Sequence, residues 1–208
     1  MSKGKFITIE GGEGAGKSTM VKRLVAWLEV HGHQLVATRE PGGTRLAEKI
    51  RLILLNAEHV EMSGQAELLL LFAARAQHLE ELIRPALARG DTVLCDRFTD
   101  ASWAYQGGGR KLPTKMIAQL EQIVHGDLQP DITLLLDLPV EVGLGRASQR
   151  SEADRFEQES VRFFNRVRQA YLERAEADAE RFAVIDASTD EESVWRQIEA
   201  VLQQRLGA

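Results

Sequence analysis

The chain has 208 residues, enough for one α/β domain with a sizeable core and too few for two of ordinary size. Its 26 basic and 31 acidic residues leave a formal charge of -5, which speaks against holding nucleic acid on a basic surface and favours small substrates. A single cysteine, Cys95, excludes an intramolecular disulfide framework and a cysteine zinc cluster; with no signal peptide and no apolar stretch of membrane length, the expected setting is the reducing cytoplasm.

Phe6 to Glu10 is a short apolar run of β-formers, and helical spacing runs from Met20 to Glu29. Between them, Gly11-Gly12-Glu13-Gly14-Ala15-Gly16-Lys17-Ser18-Thr19 satisfies the phosphate-binding-loop pattern at Gly11, Gly16, Lys17 and Ser18. A strand therefore feeds a glycine-rich turn that opens a helix. The unpaired amides of the first helical turn, the positive end of the helix dipole and the Lys17 ammonium converge on one concavity, which suits a polyphosphate. A β-carbon would hold the phosphate away from the backbone donors, while the Ser18 hydroxyl is placed to ligate magnesium.

Gln34 to Thr38 reads as a second strand, ended by the turn Arg39-Glu40-Pro41-Gly42-Gly43-Thr44. Thr44 can cap a helix with Leu46, Ile50 and Ile53 or Leu54 on its inner side. A loop around Asn56 to Gly64 leads to a helix over Gln65 to Arg84, where Pro85 predicts a kink or a stop. Thr92 to Cys95 is a third strand, and Asp96-Arg97-Phe98 leaves its carboxyl end, where ligands collect in open parallel sheets. Ala101 to Gln106 predicts a helical turn or two broken by Gly107-Gly108-Gly109, followed by a helix from Pro113 to Val124. Ile132 to Leu138 is a buried strand, and Pro139 starts a helix to about Arg150. After the charged stretch Gln149 to Arg155 come a helix over Phe156 to Ala177, a last strand Phe182 to Asp186 and a closing helix Glu191 to Leu206. Five strands alternating with helices predict an α/β fold, a five-stranded parallel sheet with helices on both faces.

Taken together, Ile9 to Thr19, Arg39 to Thr44, Phe72-Ala73-Ala74-Arg75, Asp96-Arg97-Phe98 and Ala104-Tyr105-Gln106-Gly107-Gly108 resemble the thymidylate kinase family, bacterial type. The resemblance runs from Phe6 to about Phe164. It implies a P-loop nucleoside monophosphate kinase fold, one domain over residues 1–208 with a lid segment at about 146–156. The implied reaction is transfer of the γ-phosphoryl group of ATP to dTMP, giving dTDP and ADP in dTTP biosynthesis. A homodimer formed by helix packing is also implied, with no nucleic acid or membrane partner.

The residues can be set against that chemistry. The acceptor's phosphate oxygens are already anionic, so the reaction needs charge neutralisation and in-line placement rather than a base. The loop from Gly11 to Thr19, with Lys17, can hold the donor phosphates, with Mg2+ on Ser18 and, directly or through water, Asp96. Arg97 suits the acceptor phosphate, because a guanidinium offers two parallel donors. Position alone would also allow Asp96 and Arg97 to be a surface ion pair. Glu13 would repel the donor phosphates unless it points elsewhere, and the resemblance turns it toward the acceptor sugar and magnesium. Position 14 is glycine, so this chain resembles members whose catalytic arginine comes from the lid. Arg146, Arg150 and Arg155 are the candidates, with Arg150 first.

Phe72 and Arg75, three apart on one helix, can offer a stacking face and a donor fork, which suits thymine O4 and disfavours the cytosine amino group. Without the family, core packing for Phe72 and a surface charge for Arg75 would be the plainer assignment. Ser102, Tyr105 and Gln106 share helical spacing. The resemblance places Ser102 and Gln106 against the base, Tyr105 against the sugar, Arg39 near the acceptor phosphate and Pro41 beside the sugar. Trp103 reads as packing, and the five histidines show no metal spacing.

Three rivals share the loop. A GTPase would carry an Asn-Lys-x-Asp motif, which neither Asn56 nor Asn165 begins. A kinase for another nucleoside monophosphate, or for a deoxynucleoside that needs a base to activate its hydroxyl, is separated by substrate preference. A non-catalytic nucleotide-binding protein would bind ATP without forming ADP when dTMP is added.

Overall fold

The computed structural model describes residues 4–56, 62–148 and 154–207. Five strands, β1 (Phe6–Gly11), β2 (Leu35–Arg39), β3 (Thr92–Asp96), β4 (Ile132–Asp137) and β5 (Phe182–Asp186), form one parallel sheet in the order β2-β3-β1-β4-β5. Parallel neighbours need crossovers, and the chain supplies them with helices α1 (Lys17–Val30), α2 (Arg45–Leu55), α3 (Gly64–His78), α4 (Arg84–Arg89), α5 (Thr99–Ser102), α6 (Thr114–Val124), α7 (Val140–Ala147), α8 (Val161–Ala177) and α9 (Glu191–Leu206). No helix among the described residues is long and apolar enough to cross a membrane.

Strand alternation divides β1 between two cores. Ile7 and Ile9 pack with Leu24 and Leu28 of α1 and Ile198 and Leu202 of α9, while Phe6 on the other face meets Leu79, Ile83 and Phe98. A third cluster joins Leu135 of β4 to Phe163, Phe164, Val167 and Tyr171 of α8. Each such aliphatic or aromatic side chain contributes about 1.5–3 kcal/mol by leaving water. Within the sheet, the Thr8 and Thr133 hydroxyls satisfy each other at 2.8 Å.

Several local expectations are corrected. Pro85 does not stop the chain's helical course: a π-turn over Leu79–Ile83, in which the Arg84 N–H reaches the Leu79 carbonyl, joins α3 to α4. That wider turn lets Pro85, which has no N–H, stand in the first turn of α4. Gly107-Gly108-Gly109 does not break the helix after β3 either; a π-helix runs from Trp103 through Gly109. The reason lies in α8. Added β-carbons would sit 2.8 Å from the Arg166 carbonyl oxygen at Gly108 and 2.5 Å from the Phe163 ring at Gly109, and the Arg166 guanidinium caps the carbonyls of both glycines. Small residues here are a packing requirement.

Thr44 caps α2 by accepting from the Ala47 N–H. That helix buries Ala47 and Leu54, whereas Leu46 and Ile53 face out. The helix expected from Phe156 begins at Val161, capped by Ser160, and Phe156 lies in the preceding turn.

Candidate active site

The register brings the two diagnostic loops together. Ile9 of β1 lies opposite Asp96 of β3, so the glycine loop and Asp96-Arg97-Phe98 leave adjacent strands at the same end of the sheet. Gly14 and Gly16 hold positive φ of 68° and 87°, and Gly16 opens α1 as its left-handed cap. The Lys17 ammonium donates to the Gly11 and Gly12 carbonyls at 3.2 and 3.0 Å. Burial, then the nearby Arg97 charge, pushes its pKa down. Gly14 also packs directly on α7: an added β-carbon would lie 1.9 Å from the Gly143 carbonyl oxygen. An arginine is therefore excluded at position 14 while α7 stays where it is.

The glycine loop borders a cleft of about 290 Å³ lined by Glu13, Lys17, Arg39, Arg75, Asp96 and Arg97, among others. Arg97 is its centre. Its backbone takes φ 69°, a left-handed conformation that costs a non-glycine residue about 1–3 kcal/mol. That turn is fixed by its N–H on the Ile9 carbonyl and by the Cys95 thiol, which donates to its carbonyl. The guanidinium donates to the Gly11 carbonyl, to the Tyr171 and Tyr105 hydroxyls and to Glu13 Oε1, all at 2.9–3.1 Å. Tyr105 in turn donates to Glu13 at 2.7 Å, so the Glu13 carboxylate is engaged with Arg97 and Tyr105.

Behind this row stands Glu10, fully buried, accepting from the Phe98 N–H and the Tyr171 hydroxyl at 2.7 Å each. Burial raises its pKa to about 7, helped by the charge of Asp100 and opposed by Arg97 and the two hydrogen bonds. Cys95 is buried, and burial pushes the pKa of its thiol up.

At the far end Arg75 is 2 % exposed. Its Nε donates to Glu40 Oε2 at 2.7 Å, Nη1 and Nη2 reach Ser102 Oγ at 3.2 Å, and Nη2 reaches the Phe98 carbonyl at 3.1 Å. A guanidinium has five N–H groups, so one on Nη1 is left for the cleft. Phe72 packs with Leu68 and Ile117, its ring 4.6 Å from the Arg75 guanidinium, and it is not among the residues lining the cleft. Ser102, Tyr105 and Gln106 share one wall, while Trp103 turns away to Glu121 and packs beside Leu68 and Phe72. Arg39 pairs with Glu48, whose pKa is lowered first by the Gly43 N–H and also by Arg39. Pro41 lines the cleft beside it.

The three lid arginines part company. Arg146 donates to the Ala187 and Ser188 carbonyls after β5. Arg155 is buried, with Nε on the Leu54 carbonyl and Nη2 2.6 Å from Glu67 Oε2. Arg150 lies outside the described residues.

Sequence reasoning missed Glu40, Arg51, Asp154 and Phe156 as lining residues. Arg51 had a signal, since it stands four residues after buried Ala47 on α2; it donates to the Pro41 carbonyl at 2.9 Å. Glu40 had none, because its partners Arg75 and His78 are more than thirty positions away.

For magnesium, the residues present fit. Asp96 Oδ1 is buried with no hydrogen-bond partner among the described residues, and the Ser18 hydroxyl is exposed at the start of α1. Together they offer a small set of hard oxygen donors, as magnesium prefers when it keeps several waters.

Known proteins share this fold and resemble this sequence. A family model described as thymidylate kinase matches residues 9–198. The thymidylate kinase of Pseudomonas putida is 60 % identical over 199 residues, covering 96 % of this chain and 95 % of the relative. That of Pseudomonas savastanoi pv. phaseolicola is 58 % identical, covering 98 % and 97 %. A crystal structure of thymidylate kinase from Ehrlichia chaffeensis superimposes with a TM-score of 0.79 at 33 % identity, covering 97 % of this chain and 99 % of that one. Matches of this extent, in sequence and in fold, place the chain in the thymidylate kinase family.

Proposed function

We propose that the chain transfers the γ-phosphoryl group of ATP to dTMP, giving dTDP and ADP on the route to dTTP. The observation that carries this reading is the shared exit of the glycine loop and Asp96-Arg97 into one charged cleft. Lys17 and the amides from Gly11 to Thr19 hold the donor phosphates, which take the place of the carbonyl oxygens Lys17 now bonds. Arg97, with Arg39 and Arg51 lining the same cleft, neutralises the acceptor phosphate and aligns it for in-line transfer. No side chain has to remove a proton from an acceptor that is already anionic. Ser18 and Asp96 would hold Mg2+, which supplies neutralisation of the triphosphate charge when bound.

Glu13, turned away from the donor phosphates, faces the acceptor with Tyr105. The remaining Nη1–H of Arg75 meets thymine O4, with Phe72 supporting the guanidinium from its other side and Ser102 and Gln106 completing the base wall. Residues 146–156 act as the lid of a single domain. With Arg146 and Arg155 engaged elsewhere, Arg150 is assigned to the bridging oxygen of the transition state. The protein works as a cytoplasmic homodimer, joined through the apolar surface that Leu46, Leu52 and Ile53 of α2 and Leu69 of α3 leave exposed.

A coupled ADP-release assay with dTMP, dUMP, dCMP and thymidine in parallel tests the reading. The expected order has dTMP first, and a preference for thymidine or dCMP would overturn it.

A further inference from the structure

We propose that Glu67 is a positioning residue for base selection: by taking the amino end of the Gln106 side chain, it leaves the carbonyl end to accept a hydrogen bond from the nucleobase. This rests on the dTMP reading above and deepens it, because it names the ring atom that is read.

Glu67, in the first turn of α3, is fully buried. Its Oε1 receives Gln106 Nε2 at 2.8 Å and Arg110 Nε at 3.2 Å, and its Oε2 lies 3.1 Å from Arg110 Nη2 and 2.6 Å from Arg155 Nη2. A carboxylate only accepts, and two guanidinium groups flank this one, so the group it receives from Gln106 must be the NH2. The sense of that amide is thus set by chemistry, even though oxygen and nitrogen are alike in shape. Gln106 is 1 % exposed and lines the cleft, and its Oε1 is buried with no hydrogen-bond partner among the described residues. A buried carbonyl in that condition calls for a donor.

The nucleobase supplies one selectively. N3 of thymine or uracil carries a hydrogen and donates, whereas N3 of cytosine is an acceptor and would set two lone pairs against each other. Arg75 at the other end of the wall offers the complementary donor, so the pair reads the donor-acceptor order of a keto pyrimidine. Were Glu67 able to donate, Gln106 could turn over and the discrimination at N3 would be lost.

The test compares kcat/KM for dTMP and dCMP in the full-length protein and its Glu67→Gln, Glu67→Asp and Gln106→Leu variants. Glutamine at 67 can present either end, so the dTMP preference is expected to fall at least tenfold, chiefly through KM, with kcat for saturating dTMP within about threefold. Aspartate, still acceptor-only, should restore most of the preference, and Gln106→Leu should lose it. A merely structural Glu67 would lower both substrates alike; an unchanged ratio in Glu67→Gln, or in Gln106→Leu, overturns the proposal. If the Glu67 variants do not fold, the wild-type protein with 15N-labelled dTMP decides: a scalar coupling from N3 across the hydrogen bond to the Gln106 side-chain carbonyl carbon is expected, and its absence overturns the proposal. A wild type without dTMP kinase activity would instead sink the functional reading, before any variant is made.

Discussion

Single side chains in this protein are placed by partners distant in sequence, and Asp96 shows what that does for function. Its neighbour Arg97 is committed to Gly11, Glu13, Tyr105 and Tyr171, and Asp96 Oδ1 is left buried with no hydrogen-bond partner among the described residues. An oxygen in that state is a cost to folding unless a ligand repays it. We expect Asp96→Asn to raise the magnesium concentration for half-maximal activity by at least about tenfold, since the replacement loses the charge that attracts the cation. A magnesium titration of steady-state ADP release measures it, and a superimposable curve would remove Asp96 from the site. Glu10 obeys the opposite logic. Its carboxyl is held toward the neutral form at about 7 by burial, so the stability it lends is full below the usual 4.5 and is lost as pH rises through about 7. Relative to Glu10→Gln, the wild type should lose on the order of 3 kcal/mol between pH 5 and 8. Urea midpoints at stepped pH would show this as diverging curves; parallel ones would refute it.

Elements are held by close approach as much as by apolar area. The π-helix Trp103–Gly109 and α8 meet where Gly108 and Gly109 leave no room for a β-carbon, and that contact carries Tyr105 and Gln106 on one side and Tyr171 on the other. Gly108→Ala would gain about 1 kcal/mol of helix propensity but force the Arg166 backbone outward, and overpacking against backbone costs about 1–3 kcal/mol. The second effect wins because the obstructing atoms include a carbonyl oxygen 2.8 Å away rather than a flexible side-chain tip. A net loss of about 1–2 kcal/mol in a urea melt is expected, with KM for dTMP rising as Tyr105 and Gln106 shift. Increased stability would mean that α8 yields more easily than its packing implies. The wider turn at Leu79–Ile83 belongs to the same scale: one extra residue in the helical ring accommodates Pro85 and joins α3 to α4 without a break in the helical chain.

For the whole molecule, the parallel sheet brings the carboxyl ends of β1, β2 and β3 to one end, where the charged side chains of the cleft collect. The opposite demand is placed on α2, whose Leu52 is 73 % exposed beside Leu46 and Ile53. Such a face is expected to be covered by a second copy, and Leu52→Glu should convert a dimer into a monomer by placing a charge in a desolvated contact. Sedimentation velocity at matched concentrations reads this directly; an unchanged mass would place the dimer contact elsewhere or remove it.

Much of this could be read before any coordinates. Local chemistry wrote the glycine loop, the strand alternation, the Thr44 cap and the Asp96-Arg97 exit into contiguous residues, because each depends on neighbours a few positions apart. Tertiary structure alone decided that Gly107 to Gly109 stay helical, that the helical course continues past Pro85, that Glu40 and Arg51 line the cleft, and that Glu67 stands behind Gln106. Those outcomes turn on what packs against a segment from far along the chain, and neither propensity nor spacing within the segment records that.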